Sequence, residues 1–166
     1  MTESPIADRF TDDPDFKLLA TTAPFIISFD GQSLAQLRES PASRPYMDTT
    51  RWYEEYPTEL SAAAGRYEVI LGIPESEGCD EEAQDDRAAA EYPGWMPTPV
   101  AVGLLALLQL ITNGQPVANR TYRMGERLAK DGRLQLRVSN GIVHVESRTA
   151  KTADPATRLS VCRPVE

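Results

Sequence analysis

The chain has few cysteines, one histidine and no long hydrophobic run, and each shortage excludes a class of protein. Its 166 residues include two cysteines, Cys79 and Cys162, and a single histidine, His144. A disulfide framework or a zinc site of the usual type needs more of these residues, so we expect two reduced thiols and no metal centre. The longest apolar run, Val100 to Leu108, has nine residues, whereas a membrane-spanning helix needs about 20.

Common motifs of catalysis and nucleotide binding are also absent. The sequence contains no GxxxxGK[ST], GxGxxG, GxSxG, HExxH or CxxC, so no cofactor is expected. A Ser-His-Asp mechanism would have to use His144. The start of the chain, "MTESPIADRFTDDPDF", has no basic region followed by an apolar one. It therefore does not read as a secretory signal, and the expected location is cytoplasmic.

Length and composition predict one soluble domain. The hydrophobic fraction of 41% and the charged fraction of 25% are ordinary for a globular protein of this size. Residues 1–16 carry two prolines among several aspartates, and they offer little apolar surface to offset the entropy of ordering. The expected organisation is a mobile segment over residues 1–16 and a single domain over residues 17–166.

The net charge of -8 is unevenly placed along the chain. Residues 1–97 hold 20 acids and 7 bases, and residues 98–166 hold 5 acids and 10 bases. The favoured explanation is that the two halves attract one another within the fold, and the alternative is a charged partner. The run from Glu75 to Asp86 contains seven acids and no base. It lacks the ligand spacing of an EF-hand loop, and the sequence leaves open whether it mimics DNA, binds metal or only aids solubility.

The most apolar stretch is "PGWMPTPVAVGLLALLQLITNGQP", residues 93–116. Thr98 as an N-cap and Asn113-Gly114 as a stop signal predict a helix over Pro99–Thr112. At about 20 Å it is too short for a bilayer of about 30 Å, and because it is apolar nearly all round it must be buried. Gly103 indicates a close crossing by another backbone. We expect Leu107→Asp to abolish cooperative thermal unfolding.

Capping and breaker residues predict the other elements of the first half. "SLAQLRES" reads as a short helix capped by Ser33, and Asp80 can cap a helix that runs through Ala90. Residues 65–74, "GRYEVILGIP", have the pattern of an interior strand. "FIISF", residues 25–29, fits either a buried strand or part of a helix.

The strongest local signal is the segment 133–148, "RLQLRVSNGIVHVESR". Asn140-Gly141 between alternating runs predicts a two-residue type I′ hairpin turn. That turn fixes the register, with Val138 opposite Val143 and Leu136 opposite Val145 on the face toward the core. Residues 157–164 and 120–124 can add further strands. The predicted fold is α+β: a C-terminal antiparallel sheet of three to five strands packed on a buried apolar helix, with an acidic, partly helical N-terminal half.

The outer face of this hairpin carries the candidate chemistry. His144 and Glu146 lie two residues apart on that face and can form an acid-base pair, although a solvated strand face is the simpler interpretation. Arg133, Arg137 and Arg148 share the face and can bind an anion such as phosphate. The sequence pI near 4.7 weighs against nucleic acid as that anion.

A second candidate surface is "RWYEEYP", residues 51–57, because aromatic residues beside arginine are typical of interface anchors. The predicted partner-binding residues are Arg51, Trp52, Tyr53 and Tyr56, and the competing interpretation places them in the core. The sequence favours a non-catalytic binding or adaptor module that docks on another macromolecule, with a protein as the first expectation. A nucleic-acid contact through the arginine face and a small enzyme built on His144 and Glu146 are the alternatives, and no membrane partner is expected.

Overall fold

The computed structural model describes residues 24–115, 117, 119–128, 132–148 and 157–165. Within them lie three α-helices, α1 (Leu34–Glu39), α2 (Glu81–Glu91) and α3 (Val100–Thr112). The strands are β1 (Phe25–Phe29), β2 (Gly65–Ile70), β3 (Met96–Pro97), β4 (Thr121–Leu128), β5 (Gly132–Ser139), β6 (Ile142–Arg148), β7 (Arg158–Leu159) and β8 (Val161–Val165). The predicted α+β class is confirmed, and the segment 1–16 that we expected to be mobile lies outside the described residues.

The strands form two four-stranded sheets. Sheet A has the order β1-β2-β8-β3, and sheet B has the order β6-β5-β4-β7. Neighbouring strands are antiparallel except β4 and β7, which run parallel. The segment 25–29, which the sequence left between strand and helix, is the edge strand β1. Sheet B corresponds to the predicted C-terminal sheet, except that β7, which comes from the segment 157–164, pairs in parallel with β4.

The run 157–164 does not form one further strand of the C-terminal sheet, as the alternation suggested. It divides at Ser160, so that β7 pairs with β4 in sheet B while β8 pairs with β2 and β3 in sheet A. The Ser160 amide donates to the Arg123 carbonyl, and its carbonyl accepts from Thr98. The Gly72 amide donates to its hydroxyl at 3.0 Å. These bonds satisfy a fully buried residue at the point where the chain changes sheets.

Helix α3 lies between the two sheets and is the centre of the core. It contacts β4 and β5 of sheet B, β1 and β2 of sheet A, and α1, and Leu104, Leu107 and Leu108 are buried. A side chain on Gly103 would collide with the Met124 sulfur. The close neighbour is therefore a side chain and not the crossing backbone that was predicted from the sequence. No helix in the described part of the chain combines the length and apolar character needed to cross a membrane.

The predicted capping residues are found in two of the helices but not in the third. Ser33 caps α1 in a capping box with Gln36, and the Asp80 side chain accepts from the Ala83 amide at the start of α2. Helix α3 begins at Val100 without a side-chain cap from its own neighbours. The Glu126 carboxylate on β4 caps it instead, accepting from the Val100 amide at 2.8 and 3.0 Å. The predicted cap, Thr98, is wrong because a distant carboxylate takes that role.

The β5–β6 hairpin has the predicted register along its whole length, from Ser139 opposite Ile142 to Leu134 opposite Ser147. Asn140 and Gly141 have φ values of 51° and 83°, as a type I′ turn requires. Leu134, Leu136, Val138, Val143 and Val145 are all buried on the core side. The opposite side chains are consequently held on the outer face of sheet B.

The two oppositely charged halves of the chain meet on part of that outer face. Residues of α2 and the turn before it form ion pairs with arginines of β4, β5 and β7 or beside them. The pairs are Arg120–Glu77, Arg123–Asp85, Arg127–Glu81, Arg133–Glu81 and Arg158–Glu77. The favoured explanation of the charge asymmetry, attraction within the fold, is confirmed for this acidic run.

Candidate functional site

The outer face of the hairpin forms one wall of an open cleft of about 720 Å³, here called the hairpin cleft. The cleft is lined by Asp48, Thr50, Trp52, Gln135, Arg137, His144, Val145, Glu146, Ser147 and Arg148. It therefore combines residues that the sequence assigned to three separate candidate sites: the aromatic cluster, the arginine row and the histidine.

The opposite wall is the segment 47–52, which docks on the free edge of β6. The Asp48 amide donates to the Val143 carbonyl at 3.1 Å, and the Trp52 indole Nε1 donates to the Val145 carbonyl at 3.0 Å. The buried Arg38 of α1 holds the same segment from behind, because its Nη1 donates to the Thr50 carbonyl at 3.1 Å. These bonds occupy carbonyls of an edge strand and fix Trp52 beside the hairpin face.

His144 is paired with Asp48 from the opposite wall of the cleft. Its Nδ1 lies 3.2 Å from Asp48 Oδ2, which also accepts from the Thr50 hydroxyl at 2.9 Å. The Asp48 side chain is 10% exposed and that of His144 is 26% exposed. The second oxygen, Asp48 Oδ1, is buried without a hydrogen-bond partner. His144 and Asp48 therefore form a hydrogen-bonded pair that joins the two walls of the cleft.

Glu146 has different partners. Its carboxylate accepts from Gln135 Nε2 at 2.9 Å and from Arg137 Nε at 3.0 Å. The predicted acid-base pair of His144 and Glu146 thus shares a face, as expected, but each member is bonded to another residue. Among the described residues, no serine, threonine or cysteine hydroxyl or thiol bonds to His144, so the site shows no activated nucleophile.

The three arginines of the predicted anion site are divided between two environments. Arg137 and Arg148 line the hairpin cleft. Arg133 is the cross-strand neighbour of Arg148, but its guanidinium is directed to Glu81 of α2 at 3.4 Å and to the Gly125 carbonyl at 3.3 Å. An anion in the cleft would therefore meet two of the three arginines.

The four predicted partner-binding residues also separate by burial. Tyr53 is a core residue; its hydroxyl accepts from Arg38 at 3.2 Å, and burial raises its pKa. Trp52 and Tyr56 are partly buried against the core, and their rings pack edge-to-face with their centroids 6.2 Å apart. Arg51 is exposed beside Glu39 and Glu54. Arg51 and the outer edges of Trp52 and Tyr56 are the parts that a partner can reach.

Metal binding by the acidic run has no geometric support in the described residues, where no three histidine, cysteine, aspartate or glutamate side chains are placed to hold an ion. Glu77, Glu81 and Asp85 are bonded to arginines instead. Sequence reasoning missed Asp48 and Thr50, and no local signal marks them, because they belong to the site only through the packing of the 47–52 segment on β6.

No family model, curated protein or solved structure matches this chain significantly.

Proposed function

We propose that the protein is a non-catalytic binding module that docks on another protein through the hairpin cleft. The observation that carries the proposal is the convergence of Trp52, Arg137 and Arg148 on one open cleft. Tryptophan and arginine are the residues most often found at the energetic centre of protein interfaces. Both walls come from hydrogen-bonded elements, so the cleft is formed before a partner arrives and binding costs less ordering entropy.

The charges in the cleft favour a protein over a nucleic acid. Asp48 and Glu146 lie among the cations, so the surface carries both signs, whereas a phosphate backbone calls for a continuous positive surface. Arg123, Arg127 and Arg133 are engaged with α2, which removes much of the basic excess of the second half. A partner that offers both acidic and hydrogen-bonding side chains suits this surface better.

Site-directed photo-crosslinking tests the proposal. A photoreactive amino acid replaces Ser147 at the cleft, and in a matched protein it replaces Arg87 on the exposed side of α2. In a lysate of the cell of origin, we expect a protein adduct from position 147 and none from position 87. The partner identified in that adduct is then purified, and its affinity is measured directly.

Two charge reversals complete the test. Arg148→Glu reverses a charge in the cleft, and Arg87→Glu reverses a charge outside it, so both change the net charge equally. We expect the first to weaken binding of the purified partner at least about tenfold, about 1.4 kcal/mol, and the second to leave it unchanged. Equal effects of the two variants, or adducts from position 87 alone, would contradict the proposal.

A second candidate function rests on the Asp48–His144 pair. A carboxylate that accepts from a histidine nitrogen can orient the imidazole for proton transfer, which supports a small acid-base enzyme acting on a substrate in the same cleft. His144→Ala separates the two candidates. Catalytic turnover of a bound small molecule that disappears in this variant, with the fold intact, favours the enzyme; unchanged partner binding in the same variant favours the docking module.

A further inference from the structure

A second cavity, of about 430 Å³, lies where β3, the start of α3 and the middle of β4 meet. Its walls are mainly apolar and include Ala62, Ala63, Tyr67, Met96, Pro97 and Pro99. Glu126 is the only acidic residue among those that line it. The size falls within the range of pockets that hold small ligands, and this site is independent of the hairpin cleft.

The position of Glu126 comes from an irregularity in β4. Three residues, Met124 to Glu126, stand opposite the single Leu134 of β5, because the register shifts between Arg123 and Arg127. Gly125 permits this path: a side chain there would press against the Pro97 carbonyl at 3.1 Å. Bulges of this kind redirect a side chain, and here the carboxylate is brought to the first amide of α3.

The carboxylate of Glu126 is incompletely satisfied by the protein. Both oxygens accept from the Val100 amide, and the backbone amide of Glu126 itself also donates to the carboxylate, although a carboxylate has about four acceptor positions. Among the described residues, no arginine, lysine or histidine is near enough to form an ion pair with it. Burial raises the pKa of Glu126 to about 7, against the Val100 amide, which lowers it. Within the described part of the chain, the site therefore holds a partly desolvated acid that is bonded to backbone amides and to no basic side chain.

We propose that this cavity binds a small organic ammonium ion. Its ammonium group donates hydrogen bonds to the free acceptor positions of Glu126, and its alkyl or aryl group packs against Met96, Pro97 and Ala62. Such a ligand supplies a counter-charge that no described arginine, lysine or histidine provides, and it places its apolar part against apolar walls. An anion would be repelled by the carboxylate, and a hard metal ion would find a single carboxylate ligand where it needs several oxygens.

Among the described residues, a tyrosine and a cysteine lie near Glu126, and neither interferes with a titration around neutral pH. Burial raises the pKa of the Tyr67 phenol on β2 and that of the Cys162 thiol on β8, the latter to about 11. The guanidinium of Arg133 on β5 donates to the carbonyl of Gly125, next to Glu126 in the chain. Any pH dependence of ligand binding between about pH 6 and pH 8 thus reports on the Glu126 carboxyl.

The experiment is an amide NMR titration of the full chain with phenethylammonium chloride at about pH 8. We expect saturable shifts at Ala63, Val100 and Gly125, and an affinity that falls about tenfold per pH unit below pH 7 because protonation of Glu126 competes with the ligand. 2-Phenylethanol, which has the same ring without the charge, should bind at least about tenfold more weakly.

Two variants make the test specific. Glu126→Gln keeps an acceptor for the Val100 amide but removes the charge, and we expect it to bind the ammonium no better than the alcohol at any pH. Met96→Lys, on the exposed two-residue strand β3, adds a competing cation at the cavity wall and keeps the test valid should Glu126→Gln not fold; it should weaken ammonium binding at least about tenfold. Ammonium affinity that is unchanged in these variants, equal to that of the alcohol, or undetectable up to about 10 mM would overturn the proposal.

Discussion

Two parts of the outer face of sheet B carry arginines, and they differ in what lies above them. On one part, Arg123 and Arg133 are bonded to α2 through Asp85 and Glu81. On the other, Arg137 and Arg148 lie in the open hairpin cleft with Trp52 and His144. Arg123 and Arg137 project from the same face, since Arg123 stands opposite Gln135 and Arg137 opposite His144.

The difference shows that an arginine on this sheet can stabilise the fold or remain available for binding, depending on whether α2 packs over it. Arg123 is only 3% exposed in its side chain, and three acceptors of α2, the Glu81 carbonyl, Gln84 Oε1 and Asp85 Oδ1, surround its guanidinium. Arg137 is 40% exposed and has one acidic partner. A buried charge is costly to leave unpaired, whereas an exposed pair contributes little. The first part holds the fold together, and the second is available to a partner.

Among substitutions that distinguish the two parts of the sheet face, Arg123→Ala is expected to change the free energy of unfolding the most. Removal of the guanidinium leaves Gln84 Oε1, which is buried, without its donor, so we expect a loss of about 3–4 kcal/mol in the free energy of unfolding. Urea unfolding followed by circular dichroism measures it. A loss below about 1 kcal/mol would place Arg123 with the surface arginines and remove the distinction.

The Glu126 carboxyl extends the comparison to a partly buried acid that forms no ion pair with any described cation. Its pKa in the folded protein, about 7, lies above the ordinary value of 4.5, so folding favours the protonated form. The resulting stabilisation is complete below pH 4.5 and is lost as the pH rises through about 7, by up to about 3 kcal/mol. The control is Glu126→Gln, which lacks this contribution.

The measurement is the difference in unfolding free energy between wild type and Glu126→Gln from about pH 4 to pH 8. We expect the wild type to lose stability relative to the variant as the pH rises across this interval. A constant difference would mean that the carboxyl is solvated like an exposed glutamate.

A smaller loss of stability is expected for a substitution at Trp52, which lies between the hairpin cleft and the core. Trp52→Phe keeps an aromatic ring against Tyr53 and Tyr56 but removes the indole donor to the Val145 carbonyl. We expect a loss of about 1 kcal/mol, measured by urea unfolding, and faster amide hydrogen exchange in residues 48–50. Unchanged exchange there would show that the indole bond does not hold the segment on β6.

The smallest effect on stability is expected for Arg137→Gln. Both members of the pair with Glu146 are partly exposed to solvent, so the change in unfolding free energy should stay within about 0.5 kcal/mol. The same substitution should weaken docking of the partner identified by crosslinking, as measured by calorimetry. A stability loss as large as that of Arg123→Ala would contradict the division of the sheet face.

The sequence predicted the local elements well because their determinants are local. Ser33 and Asp80 cap the helices that they were expected to cap, and Asn140-Gly141 set the whole hairpin register. The sequence-based predictions were wrong at two positions, where contacts with distant residues determine the structure. At Thr98, the predicted cap of α3 is replaced by Glu126. At Ser160, the predicted single strand divides between the two sheets. For the candidate site, the hairpin alternation placed His144, Glu146 and the arginines on one face, but not Asp48, which is distant in the chain.

The amino-acid sequence by itself determined the α+β class, the burial of the apolar helix and the face on which each hairpin side chain lies, because turn chemistry and periodicity act over a few residues. Only the tertiary structure decided which arginines are neutralised by α2, which carboxylate meets His144, and that Glu126 is partly buried without a described cation. Those outcomes depend on burial and on charges brought together from distant positions, and the strength of a charge interaction is set by the surroundings in which it is made.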